Sequence, residues 1–73
     1  MRAIIGEFLY DTEKAKKLCS WEDDFDLYKT DKGNYFYYKP SIIKPICDSL
    51  VKEKLGLINV SLYIQEFGKP KEA

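Results

Sequence analysis

Apolar and polar positions change rhythm several times along this chain, and each rhythm predicts an element. Ala3-Ile4-Ile5-Gly6-Glu7-Phe8-Leu9-Tyr10 is dense in β-branched and aromatic side chains. It predicts a strand over residues 3–10, with Gly6 marking a bulge or tight turn. Asp11 and Thr12 are both good helix caps, and "TEKAKKLCSW" after them predicts a short helix. Ala15, Leu18 and Cys19 fall three and four apart on its apolar face, with Lys14, Lys16 and Lys17 elsewhere. Phe25 to Thr30 then alternates, placing Phe25, Leu27 and Lys29 on one side and Asp26, Tyr28 and Thr30 on the other. Residues 34–39 return as a second strand across "DKGN", where Gly33 is free to take positive φ. Phe36 is expected on the core face with Leu27 or its neighbours.

Past Pro40, which ends the strand, the rhythm turns helical. Pro45 suits the first turn of a helix running to Leu55, with Ile46, Cys47, Leu50, Val51 and Leu55 as its stripe and Gly56 as its stop. Asn59 caps a further short helix in which Val60, Tyr63, Ile64 and Phe67 follow i, i+3, i+4, i+7 and Gly68 closes it. The alternation Val60-Leu62-Ile64 also permits a strand there, and the helix is favoured. The expectation is an α+β fold in a single domain, residues 1–73. It has a small three-stranded antiparallel sheet from residues 3–10, 25–30 and 34–39, covered on one face by two or three short helices. A short sheet leaves edges and one face poorly covered, so a homodimer is expected.

Composition narrows the function. With 73 residues, 45% of them hydrophobic and no net charge, the chain is too apolar for a disordered segment and too neutral for a strongly basic nucleic-acid binder. The cancellation hides a local bias. Glu22, Asp23, Asp24, Asp26 and Asp31 stand against Lys29 alone, an acidic patch beside a run of rings. No apolar run approaches the roughly 20 residues that cross a bilayer, so no membrane association is expected. No signal peptide precedes Cys19 and Cys47, so free thiols in a cytoplasm are expected.

Catalysis is not expected. Histidine is absent, which removes the usual general base and metal ligand near neutral pH. Two cysteines cannot complete a zinc site unaided, "EDDFD" lacks the ligand spacing of a calcium loop, and no glycine-rich phosphate cradle occurs. No cofactor or metal is expected. What remains is binding. Base-stacking proteins set exposed rings in a positive groove, and here the neighbouring segment is acidic. Tyrosine suits protein interfaces, with an apolar ring and a hydroxyl that tolerates water. The candidate partner-binding residues are therefore Glu22, Asp23, Asp24, Asp26, Tyr28, Tyr35, Tyr37 and Tyr38, with some of the tyrosines expected to stay accessible.

Four stretches also carry a resemblance. "YDTEKA" (residues 10–15), Trp21 before the acids, "LYKTDKGNYFYY" (residues 27–38) and "EFGKPKEA" (residues 66–73) together resemble a loose group of short proteins encoded by phages and mobile elements of Gram-positive and related bacteria. The chain departs from that group at "PSIIKP", which replaces a more polar connection, and in the following helix, which lacks a tryptophan. Small proteins of this origin are often inhibitors of host defence, including anti-CRISPR proteins. The resemblance thus implies a non-catalytic inhibitor in the cytoplasm of a bacterial host. Its partner would be a bacterial protein, with a CRISPR effector as the expected one, and acids would enter a groove that normally holds nucleic-acid phosphates. The alternative is a small nucleic-acid-binding accessory protein that stacks bases on the same rings.

Overall fold

Tight chain reversals, rather than long elements, set the architecture. The computed structural model describes residues 1–20 and 25–73. Among them run β1 (Arg2–Ile5), β2 (Phe8–Asp11), β3 (Lys16–Ser20), β4 (Asp26–Lys29), β5 (Tyr35–Lys39), β6 (Ile42–Ile46), α1 (Asp48–Ile58) and α2 (Val60–Phe67). β1 and β2 form a two-stranded sheet, and β3-β4-β5-β6 form a four-stranded antiparallel sheet in that order. The α+β class matches the expectation from the sequence. The number of strands does not.

Three segments take a different form from the one expected. The single strand over residues 3–10 is instead a hairpin, turned at Gly6 and Glu7, whose φ values are 57° and 72°. Two successive positive φ values give the twist that a two-residue hairpin loop requires. The helix expected after Asp11 is one turn followed by strand β3. The Asp11 carboxylate accepts the Glu13 N–H at 2.9 Å, and the Asp11 carbonyl accepts the Lys14 and Ala15 N–H groups. The capping chemistry is real, but it closes a turn rather than opening a helix.

Residues 42–46, expected to lead into a helix at Pro45, form β6 and pair with β5 from Lys39↔Ile42 to Tyr35↔Ile46. Pro40 and Ser41 make the reversal, with Ser41 at φ 74°. β6 lies at the edge of the sheet, where a residue without an N–H is tolerated. α1 starts only at Asp48 and runs through Gly56 to Ile58, with Asn59 as its C-cap. The hairpin of residues 25–39 and the helix at residues 60–67 form as expected, with Gly33 at φ 88° and the Asn59 side chain accepting the Leu62 N–H.

The four-stranded sheet is covered on both faces. On one, Leu27 and Tyr35 pack with Val51, Leu55 and Leu62 of the helices. On the other, Phe36 and Ile43 pack with Tyr10 of the β1–β2 hairpin. Phe36 pairs with Tyr28 across the strands and so lies opposite Leu27, not beside it. Helices on a single face had been expected. The added layer is the hairpin, which the sequence hid as one strand.

Candidate partner-binding site

Pairing between β4 and β5 decides where the candidate residues go. Asp26 opens β4 opposite Tyr38, and Leu27 stands opposite Tyr37. Side chains alternate along a strand, so Tyr37 and Tyr35 point to the helix side, and Tyr28 and Tyr38 to the hairpin side. Asp26 lies 3.5 Å from the Lys17 ammonium of β3. Glu22, Asp23 and Asp24 lie outside the described residues, as does Trp21.

At this end of the sheet Phe25 meets Tyr37 edge to face, with ring centroids 4.9 Å apart. The Lys39 ammonium sits over the Phe25 ring, 4.9 Å from its centroid. Both rings are half-buried. They wall a groove of about 420 Å³ whose other lining includes Pro45, Ile46 and Leu50, with Lys44 and Lys54 also facing it. Three elements build it: β5 brings Tyr37, β6 brings Pro45 and Ile46, and α1 brings Leu50. Phe25 precedes the first acid of β4, and Asp26 follows it directly. Asp26 is next to Phe25 in the chain but, opposite Tyr38, faces the other side of the sheet from the groove.

Tyr35 and Tyr28 do not share in this surface. Tyr35 is 4% exposed, so it is not among the tyrosines left accessible. Its hydroxyl donates to Glu66 of α2 at 3.1 Å, and the Lys29 ammonium donates to the same oxygen at 2.8 Å. Burial pushes the Glu66 carboxyl up, but the bonds from Lys29 and Tyr35 outweigh it and hold the group below the usual carboxylate range. The bond to Glu66 holds the Lys29 ammonium above its ordinary value, and burial with the Glu66 bond raises the Tyr35 phenol. This cluster fastens α2 to the sheet. Tyr28 stacks on Phe36 with centroids 5.3 Å apart and planes 10° apart, and meets Tyr38 edge-on at 6.2 Å. Its ring is spent on packing beneath the hairpin.

Of the tyrosines proposed from the sequence, Tyr38 therefore pairs with Asp26 on the hairpin side, while Tyr37 lines the groove on the helix side. Sequence reasoning overlooked Phe25, although its position against the acidic run was a usable signal. It also overlooked Leu50 as a lining residue, because the helical stripe counted it among the core, whereas it is 49% exposed. Cys19 is a half-buried free thiol, raised mainly by burial and also by Asp26, against the opposing effect of Lys17. Cys47 is a free, exposed thiol at the start of α1.

Chemically, this end of the sheet offers two rings, aliphatic walls and charges of both signs. Among the described residues no three acidic or thiol side chains gather as metal ligands would, and no helix is long and apolar enough to cross a membrane. An amphipathic groove with charged margins suits recognition of a side chain or short segment of another molecule. No family model, curated protein or solved structure matches the chain.

Proposed function

We propose that this protein is a non-catalytic binding protein that engages a protein partner through the Phe25–Tyr37 end of its sheet together with the acidic run Glu22–Asp26. The observation that carries this reading is the groove walled by the half-buried Phe25–Tyr37 pair, with Asp26 following Phe25 directly. Rings held edge to face lose little conformational freedom on binding, and neighbouring carboxylates add steering toward a basic surface. The resemblance to phage and mobile-element proteins directs the partner: a bacterial defence protein, a CRISPR effector first. There the acids would compete with nucleic-acid phosphate for a basic groove.

The test is titration of the protein into purified CRISPR effector complexes, following both association and target cleavage. Asp23→Asn, Asp24→Asn and Asp26→Asn together should weaken association by roughly tenfold or more, and added salt should weaken the wild type similarly. Tyr37→Ala should weaken it through lost contact area. Stability should change little in the charge-neutralised variant, because the described ion pair it removes, Asp26 with Lys17 at 3.5 Å, joins partly exposed side chains and contributes little. Full affinity in that variant, with loss on a helix-face change, overturns the assignment.

A second reading has one observation of its own. Lys39 sits over the Phe25 ring, and Lys44 faces the same groove, the pairing of cation and ring that single-strand binders use. For a nucleic-acid ligand the triple substitution should strengthen binding instead. The sign of one measurement separates the two.

A further inference from the structure

We infer that the corner where α1 meets α2 is a self-association surface, through which two copies of this chain pair about a two-fold axis. Four apolar side chains are displayed there within eight positions: Leu57 is 81% exposed, Ile58 54%, Val60 57% and Ile64 41%. Inward, α2 turns Leu62, Tyr63 and Phe67 toward the core. Val60 and Ile64, one turn apart, form a second apolar stripe on its other side. A second apolar stripe on a helix calls for a second covering surface. The fold covers only one.

Charge selects the occupant. Residues 56–65, Gly-Leu-Ile-Asn-Val-Ser-Leu-Tyr-Ile-Gln, carry no charged side chain in a chain where 33% of residues are charged. A two-fold interface sets a patch against its own copy, so any charge at its centre would meet its like; an uncharged patch meets itself without that cost. An acidic or basic partner finds no complementary charge here. The exposed Ser61 and Gln65 flank the stripe with uncharged polar groups. Exposure of this extent amounts to a few hundred Å², at the upper end of what monomers leave open and about what the centre of a standard interface of roughly 800 Å² per partner requires.

The edges of the four-stranded sheet, the first place to look for pairing in a small β-rich protein, are guarded. β3 presents exposed Lys16 and Lys17 and a register shift between Lys17 and Cys19, and β6 carries Pro45. Lysine, a bulge and proline are the usual devices against edge-to-edge contact. The helical corner has none.

Sedimentation of the wild-type protein from micromolar to submillimolar concentration should show a reversible dimer. Leu57→Glu and Ile64→Glu should each raise the dimer dissociation constant by at least roughly 30-fold. Circular dichroism should be unchanged for both, since both side chains are exposed. Lys16→Glu at the sheet edge should leave the dimer intact. A wild type that stays monomeric throughout overturns the inference, as does a dimer of unchanged affinity in both helix variants. A monomer that co-floats with phosphatidylcholine–phosphatidylglycerol vesicles, losing this in Leu57→Glu, makes lipid the occupant and overturns it too.

Discussion

Two residues show how local chemistry is coupled to the stability of so small a chain. Ser41 occupies the left-handed region at φ 74°, in a turn whose preceding residue is Pro40. A proline followed by a residue at positive φ is the arrangement that favours glycine at the second position. Ser41→Gly should therefore stabilise the protein by about 1 kcal/mol, read as a higher urea midpoint with an unchanged slope. A lower midpoint would mean that the serine side chain matters more than its backbone. Glu66 governs the pH response. Its carboxyl is held below the ordinary range in the folded state, so its contribution is present above the unfolded value and lost as pH falls below roughly 4.3 and on through the depressed folded value. Lys29 and Tyr35 are both raised, so theirs is present below their ordinary values and lost as pH rises above roughly 10. Glu66→Gln should remove the acid limb of the stability profile and only reduce the alkaline one. The neutral amide still accepts hydrogen bonds but no longer attracts the Lys29 ammonium, and burial keeps part of the Tyr35 shift. Unfolding midpoints across the pH range decide this; an unaltered acid limb would place its origin in other carboxylates.

Asn59 is the hinge between elements. Its side chain accepts the Leu62 N–H at 3.1 Å, capping α2, while its backbone N–H donates to Leu55 at 2.9 Å, closing α1. Asn59→Ala keeps the second bond and loses the first, and should cost about 1 kcal/mol of stability in thermal unfolding. That cap was legible in the sequence because its signal is local: a short polar residue, an apolar stripe, then Gly68. The hairpin of residues 25–39 was legible for the same reason, alternation broken by "DKGN". β3 was not. The shift in pairing between Lys17 and Cys19 sends both Leu18 and Cys19 into one core. Ala15, which packs into the other, completes the three-and-four spacing of a helix face only by coincidence of position. β1 and β2 were run together because Gly6-Glu7 lacks the Asn-Gly signature of a tight hairpin. Pro45 was assigned to a helix because only the pairing reveals that its strand lies at an edge. The candidate site was legible in part. Tyr37 and Asp26 were named from composition, while Tyr35 was misplaced because its cover, α2, comes from a segment 31 positions away in the chain.

The molecule as a whole has two cores that share one sheet, and the way each layer is fastened to that sheet predicts how it opens. Leu27, Val51 and Leu55 on the helix side are fully buried, as is Phe36 on the other, and the helix-side cluster joins the sheet to both helices. On the other side the β1–β2 hairpin is fastened by Tyr10, which meets Phe36 edge to face at 5.4 Å and packs with Ile43. Ile4, Phe8 and Leu9 of the same hairpin are 77%, 61% and 48% exposed, so much of its apolar surface contributes nothing to docking. A two-stranded hairpin is marginal alone, and regions with few buried contacts open before the rest. Tyr10→Ala should thus release the hairpin locally. In native-state hydrogen exchange the β1 and β2 amides should lose protection, while those of β4, β5 and α1 keep most of theirs. Leu55→Ala, by contrast, should lower protection throughout, by about 2–5 kcal/mol, because its cavity lies in the core that joins sheet to helices. The Phe25–Tyr37 groove lies on the helix side, built from β5, β6 and α1, so Tyr10→Ala should leave partner binding nearly unchanged even as the hairpin frays. Uniform loss of protection in Tyr10→Ala would show instead that both cores fold as one unit, and that the hairpin is as much a part of the binding scaffold as the helices are.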